Sequence, residues 1–161
     1  MPGRKIVGVG DLAVTKDRGT ELVTYSLGSC IGVLIHDTAA CVGGLLHLML
    51  PDSTLNPDRA QRQPAVFADT GVPLLFKQAY ALGAKKGRLR VVVVGGSQVM
   101  DSAGHFNIGK RNYAAVRKIF WRNNVLIDKE DVGGNVNRTV SLEVASGRLW
   151  MKVNGAEVKT L

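Results

Sequence analysis

The sequence contains no long hydrophobic run. None of its segments approaches the roughly 18 uninterrupted apolar residues that a membrane-spanning helix requires, so we expect no membrane insertion. The N-terminal segment Met1–Asp11 also lacks the apolar block of a secretory signal peptide. Together these absences predict a cytoplasmic protein.

Cysteine is also scarce, since the chain has only Cys30 and Cys41. Two cysteines do not form the disulfide framework of a small secreted protein. In a reducing compartment we expect both to be free thiols, which leaves them available for chemistry.

Aromatic residues make up only 6% of the chain, and no stripe of arginines is interleaved with them. This composition disfavours nucleic-acid binding. The turn Gly95-Gly96-Ser97 follows an apolar strand but lacks the spacing of a dinucleotide fingerprint or a phosphate-binding loop, so we expect no nucleotide cofactor. Acidic residues are few, 13 against 21 Lys and Arg, and the net charge of +8 predicts an acidic partner, with an acidic protein favoured.

The chain is long enough for one substantial core and too short for two, so we expect a single domain over residues 1–161. Apolar and β-branched runs predict strands at Ile6–Val14, Glu21–Leu27, Ile31–His36, Cys41–Leu50, Leu89–Val94, Val125–Asp128, Thr139–Val144 and Leu149–Val153.

Two segments have helical periodicity. Apolar residues recur on one face from Ala68 to Leu82, with Pro64 suited to the first turn, Gly83 suited to the C-terminal cap and Pro73 expected to kink or break the helix. A second helix is expected from about Ile108 to Asn123, with Asn107 as its N-cap. This order of elements predicts a mixed α/β (α+β) fold, in which two main helices pack on a mostly antiparallel sheet.

The segment from Cys30 to His47 reads as a β-hairpin that joins a thiol and an imidazole. With a two-residue loop at Thr38-Ala39, Cys30 lies directly opposite His47, and His36 lies opposite Cys41. Opposed side chains have Cβ atoms about 4.5–5.5 Å apart, close enough for an imidazole to reach a sulfur. The two pairs are about 20 Å apart at about 3.3 Å per residue, so they cannot share one metal ion and we expect no metal site.

A histidine in contact with a thiol lowers the pKa of the thiol and can later protonate a leaving amine. The Gly28-Ser29 turn before Cys30 offers backbone N–H groups for an oxyanion. Such a dyad usually needs a third group to orient the imidazole, and on strand parity either Thr24 or Ser26 qualifies. The alternative is that Cys30 and His47 are ordinary core residues.

The motifs of the chain resemble those of the CheD family, the chemoreceptor glutamine deamidases of bacterial and archaeal chemotaxis. The resemblance covers nearly the whole chain and is carried by several motifs: Val7-Gly-Val-Gly-Asp-Leu-Ala-Val14, Thr24-Tyr-Ser-Leu-Gly-Ser-Cys30, Gly43-Gly-Leu-Leu-His47-Leu-Met-Leu-Pro-Asp-Ser53, Phe67-Ala-Asp-Thr70, Gly95-Gly-Ser-Gln-Val-Met100, Asn107-Ile-Gly-Lys-Arg-Asn112 and Asp131-Val-Gly-Gly-Asn135.

The resemblance implies an amidohydrolase that converts receptor glutamines to glutamate and releases ammonia. It implies Cys30 as the nucleophile, His47 as base and acid, and Thr24 as the orienting residue, in a layered α/β sandwich that needs no cofactor. The implied partners are the helical cytoplasmic domain of a chemoreceptor and a phosphatase of the CheC type. Two alternatives stay open: a non-catalytic chemotaxis adaptor, and a cysteine enzyme with another acyl acceptor, such as a transglutaminase or a protease.

Overall fold

Two five-stranded sheets and a layer of helices make up the computed structural model, which describes residues 3–98, 107–155 and 157–161. The first sheet has the strand order β1-β3-β8-β9-β10 and the second the order β2-β5-β4-β6-β7. Pairing is antiparallel except between β1 and β3 and between β6 and β7. The strands are β1 Gly3–Ile6, β2 Asp11–Thr15, β3 Thr20–Leu27, β4 Ile31–Asp37, β5 Val42–Leu48, β6 Arg90–Gly95, β7 Lys129–Val132, β8 Arg138–Glu143, β9 Leu149–Val153 and β10 Glu157–Thr160.

The second sheet is the middle layer, so its central strands are buried on both faces. In β4, Leu34 packs between the sheets, whereas Val33 and Ile35 pack against the helices. Every residue of β4 and of β5 is buried. A strand covered on both faces has no polar alternation, which accounts for the apolar runs of β4 and β5.

The helices are α1 Pro57–Arg62, α2 Ala68–Ala81 and α3 Ile108–Arg122, with short 3₁₀ turns at Ser53–Leu55, Pro64–Val66 and Lys86–Arg88. The predicted inner face of α2 is confirmed, but Pro64 belongs to a separate 3₁₀ turn and not to the first turn of the helix. Pro73 lies inside α2 without ending it, so of the two expectations for this residue, a kink or a break, the break is wrong. Asn107 precedes α3 as predicted, but its side chain makes no capping bond.

Two strand predictions need correction, and one strand was missed. The run Ile6–Val14 is not one strand: it divides into β1 and β2, which belong to different sheets, and Gly10 with φ +72° lies between them. The strand expected at Val125–Asp128 lies later, at β7, because Val125 and Ile127 are used to cover the helical core. Strand β10 was not predicted, and it pairs with β9 at the edge of the first sheet.

The predicted register of the β4–β5 hairpin is wrong by two residues. Asp37 pairs with Val42, so the loop has four residues, 38–41, and His47 lies opposite Gly32 instead of Cys30. The longer turn is stabilised locally: the Ala40 N–H donates to Asp37 Oδ1 at 3.0 Å, and Cys41 adopts a left-handed φ of +54°. His36 accordingly pairs with Gly43 and not with Cys41.

Candidate active site

His47 is the centre of the candidate site. It lies on the buried strand β5, and its Nδ1 is 2.6 Å from Thr24 Oγ1 on β3 of the facing sheet. Thr24 Oγ1 in turn donates to the Val7 carbonyl at 2.7 Å. Because the only hydroxyl proton of Thr24 goes to Val7, its oxygen must accept from the imidazole, so His47 carries its proton on Nδ1. The lone pair is therefore on Nε2.

The structure distinguishes between the two candidates for the orienting group. Thr24 is fully buried and hydrogen-bonded to the imidazole, whereas Ser26 is exposed. Side-chain parity alone makes the two residues equivalent only if the strand is regular. The pairing of β3 with β8 is irregular between Thr24 and Leu27, and Ser26 has a φ of +57°, which turns the chain away from strand geometry.

Cys30 lies immediately before β4 and is partly buried against the apolar layer between the sheets. Because it precedes Gly32 by two residues and Gly32 lies opposite His47, a diagonal relation to His47 replaces the predicted direct opposition. Among the described residues, His47 Nε2 has no hydrogen-bond partner, so the thiol and the imidazole are not hydrogen-bonded in this structure.

The protonation states of the pair follow from burial. Burial raises the pKa of the Cys30 thiol above its usual range, and the nearby N–H of its own backbone offsets this only in part. Burial also lowers the pKa of His47 to about 4. Near neutral pH the pair is therefore a neutral thiol and a neutral imidazole, which corrects the expectation that His47 lowers the pKa of the thiol. A neutral imidazole with a free lone pair can act as a general base.

Two buried polar residues near the site were missed by the sequence reasoning. Asn112 on α3 donates to the Ser29 carbonyl at 3.0 Å and to the Met49 carbonyl at 2.9 Å. Ser97, which follows β6, donates its backbone N–H to the Gly28 carbonyl at 2.8 Å. Both residues belong to motifs that carry the family resemblance, but nothing in the sequence alone relates them to the turn before Cys30.

The structure also describes the thiols and the remaining ionisable groups. Cys30 and Cys41 are both free thiols, and no group of three or more His, Cys, Asp or Glu that could hold a metal occurs in the described parts of the chain. Within those same parts, no helix is long and apolar enough to cross a bilayer. The Val99-Met100 end of the Gly95–Met100 motif lies outside the described residues.

Comparison with known proteins gives one family. The family model described as CheD chemotactic sensory transduction matches residues 49–153, a range that begins after Thr24, Cys30 and His47. A protein of Syntrophus aciditrophicus named "Probable chemoreceptor glutamine deamidase CheD 1" is 50% identical over 159 residues, which are 99% of this chain and 99% of that protein.

Two further relatives carry similar names. The "Probable chemoreceptor glutamine deamidase CheD" of Solibacter usitatus is 50% identical, over 94% of this chain and 90% of its own. The "Chemoreceptor glutamine deamidase CheD" of Thermotoga maritima is 39% identical, over 96% of this chain and 95% of its own. A Neisseria meningitidis crystal structure assigned to the DUF152 family aligns with a TM-score of 0.46 and 11% identity, over 83% of this chain and 63% of that one. The sequence identity over nearly full length shows that this chain belongs to the CheD family.

Proposed function

We propose that this chain is a protein-glutamine deamidase, which converts glutamine side chains of chemoreceptors to glutamate and releases ammonia. Membership of a family whose relatives are named for this activity supports the proposal. The observation that carries it is the buried chain of hydrogen bonds from His47 Nδ1 through Thr24 to Val7, which leaves the basic Nε2 atom without a partner in the part of the chain that the structure describes. A histidine that serves only to fill a core has no need of an unpaired buried nitrogen.

In the proposed first half-reaction, the Cys30 thiol attacks the carboxamide carbon of the substrate and its proton passes to His47 Nε2. The tetrahedral oxyanion then collapses, the carbon–nitrogen bond breaks, and Nε2 returns the proton to the departing nitrogen as ammonia. Thr24 keeps the ring in the required tautomer throughout, because Nδ1–H remains engaged with its hydroxyl.

In the second half-reaction, water attacks the Cys30 thioester while His47 Nε2 accepts one of its protons. The carbon–sulfur bond then breaks, and the proton on Nε2 returns to the sulfur, which restores the thiol and releases glutamate. Because burial lowers the pKa of His47, the imidazole is neutral at physiological pH and Nε2 has a lone pair that can accept a proton. In the free structure Nε2 has no partner among the described residues, and catalytic hydrogen bonds of this kind commonly form only when substrate is bound.

The charge of the chain supports an acidic substrate. The net charge is +8, and helix α3, which donates Asn112 to the turn before Cys30, carries five Lys and Arg residues and no acidic one: Lys110, Arg111, Arg117, Lys118 and Arg122. Such a surface attracts an acidic helical receptor domain and accelerates its encounter with the site.

The family resemblance also leads us to propose that a phosphatase of the CheC type binds this chain, and that both act in the cytoplasm. Co-purification of the two proteins from mixed extracts tests the partner. Failure of a purified CheC-type protein to bind would contradict this part of the proposal and leave the deamidase assay unaffected.

The decisive experiment incubates the protein with a receptor cytoplasmic fragment and follows ammonia release and the small mass increase of an amide converted to an acid. A matched fragment that already carries glutamate at the modified positions should release no ammonia. Binding without any mass change would contradict the proposal and favour an adaptor. Formation of an amine adduct when a primary amine is supplied would identify a transglutaminase instead.

A further inference from the structure

The turn before the nucleophile is held by three donors from two other segments. The Gly28 carbonyl accepts from Ser97 N at 2.8 Å, the Ser29 carbonyl from Asn112 Nδ2 at 3.0 Å, and the Cys30 carbonyl from Gly96 N at 2.9 Å. Three consecutive carbonyls are thus fixed by groups that lie behind the turn.

This arrangement also determines where the N–H groups of the turn point. A trans peptide unit is planar, so the N–H of Ser29 points opposite to the Gly28 carbonyl, and the N–H of Cys30 points opposite to the Ser29 carbonyl. Neither N–H donates to another residue of the described chain, although the Cys30 N–H interacts with its own thiol. The Ser29 N–H thus points away from Ser97 and the Cys30 N–H away from Asn112, toward the side of the turn where a developing oxyanion requires donors.

Asn112 has a second role in this arrangement. The other hydrogen of its Nδ2 group donates to the Met49 carbonyl at 2.9 Å, two residues beyond His47. The orientation of the amide is unambiguous, because two carbonyl oxygens can be satisfied only by the NH₂ group. One fully buried amide thus connects the turn that carries Cys30 to the strand that carries His47.

The packing around this amide leaves little freedom. A Cβ on Gly109, in the first turn of α3, would lie 2.4 Å from the carbonyl oxygens of both Gly96 and Ser97, and a Cβ on Gly95 would lie 2.2 Å from the Cys30 oxygen. The buried Asn112 Oδ1 has no partner among the described residues. Because an unpaired buried acceptor is destabilising, an asparagine at this position is better explained by the geometry it imposes than by stability.

We infer that Asn112 is a positioning residue for the proposed reaction: by binding the Ser29 and Met49 carbonyls together, it sets the distance between Cys30 and His47 and turns the Ser29 and Cys30 N–H groups toward the oxyanion. The catalytic part of the inference rests on the proposed function. The geometric part rests only on the hydrogen bonds described above.

The main test is Asn112→Asp, which keeps the shape but replaces the donor with a carboxylate facing two carbonyl oxygens. Misplacement of the reacting groups should lower kcat by about 10²-fold and leave KM near the wild-type value, because the side chain is buried and touches no substrate. The matched control is Val116→Ala, one turn later on α3 and equally buried, which should lower Tm and leave kcat unchanged. An Asn112→Asp protein that folds and keeps the wild-type kcat would overturn the inference.

A second variant covers the case in which Asn112→Asp does not fold. Gly109→Ala should displace the Gly96–Ser97 backbone and lower kcat in the same way, while Gly87→Ala, which meets nothing within 4 Å, should behave as wild type. Unchanged kcat in folded Gly109→Ala would also overturn the inference.

Alkylation of Cys30 gives a readout that needs no receptor. In the wild type, the rate near neutral pH should depend on His47, and in Asn112→Asp it should rise only at alkaline pH, as for a buried thiol without a base. If Cys30 of the wild-type protein is alkylated at a His47-dependent rate but the protein deamidates no receptor, the proposed function fails and the positioning role stands. Identical pH profiles for the wild type and Asn112→Asp would count against the positioning role whatever the receptor assay shows.

Discussion

Each end of the β4–β5 hairpin carries one histidine and one cysteine, but the hydrogen bonding of the histidine differs between the two ends. At the turn end, His36 Nε2 bonds the Val144 carbonyl at 2.8 Å and Nδ1 lies 3.4 Å from Thr38 Oγ1. Cys41 shares that carbonyl at 3.5 Å. At the open end, His47 bonds Thr24 through Nδ1 only, and Nε2 has no partner among the described residues.

Burial does not distinguish the two histidines, since both are buried. Their surroundings do: Gly147 packs on the His36 ring so closely that a Cβ there would lie 2.6 Å from Nδ1, and every polar atom of that ring is used. His36 therefore holds β4 to the end of β8, whereas His47 keeps one basic nitrogen unpaired. Hydrogen bonding therefore distinguishes His36 from His47, the histidine that we propose to be catalytic, where residue type and exposure do not.

The largest expected difference between the two ends is between the thiols. Cys30→Ala should abolish deamidation while the protein still folds and binds the receptor fragment, because no other described thiol lies beside His47. Cys41→Ala should keep the wild-type rate, since it loses only a weak bond to Val144. The measurement is ammonia release with receptor binding as the control. Residual activity in Cys30→Ala would contradict its role as nucleophile.

The same thiols can be compared without substrate. At neutral pH in the folded protein, we expect Cys30 to be alkylated faster than Cys41, because His47 can accept its proton even though burial raises the pKa of the thiol. Mass spectrometry of the two peptides gives both rates from one sample. Equal rates would mean that Cys30 is not activated.

The histidines come next. His47→Gln should lower kcat by about 10²–10⁴-fold, the usual contribution of a general acid–base group. His36→Gln should instead leave kcat near the wild-type value and lower the free energy of unfolding by about 1–3 kcal/mol, because the buried Val144 carbonyl loses a partner. Steady-state kinetics and urea denaturation of both variants test this. Equal loss of activity in the two variants would contradict the assignment of His47, and not His36, as the acid–base group.

The buried imidazole predicts how stability depends on pH. The pKa of His47 is lowered to about 4, so between about pH 6.5 and pH 4 the unfolded chain binds a proton that the folded protein does not. The free energy of unfolding should therefore decrease as the pH is lowered from about 6.5 to about 4, by about 3 kcal/mol from this residue. Urea denaturation at several pH values measures it, and the slope should diminish in His47→Gln. An unchanged slope in that variant would show that His47 does not titrate as its burial requires.

The smallest expected effect concerns the threonines that bond the two rings. Thr24→Val removes the oxygen that fixes the His47 tautomer and should lower kcat by about 10–100-fold, corresponding to about 1–3 kcal/mol for a buried unpaired group. Thr38→Val, at an exposed position with a 3.4 Å contact to His36, should change neither kcat nor stability appreciably. Equal kinetics for Thr24→Val and the wild type would remove Thr24 from the mechanism.

Much of the site could be predicted because an even-numbered error in strand register does not change which face of the sheet a side chain occupies. The hairpin loop has four residues instead of two, yet a register shift of two residues leaves every side chain on its original face, so Cys30 and His47 still share the layer between the sheets. A shift of one residue would have separated them. The splitting of Ile6–Val14 between the two sheets was not predictable in the same way, because both halves have strand-like sequences and only the packing of the sheets assigns them.

The sequence by itself determined the candidate residues Cys30 and His47, the strands near which they lie, and the motifs of the family. Only the tertiary structure decided the features of the site that depend on contacts between distant segments. It chose Thr24 over Ser26 through an irregularity in β3, it made the resting pair neutral through burial, and it brought Asn112 behind Cys30. The physical reason is that local periodicity specifies which face a residue occupies, whereas desolvation and hydrogen bonding depend on every segment packed around it.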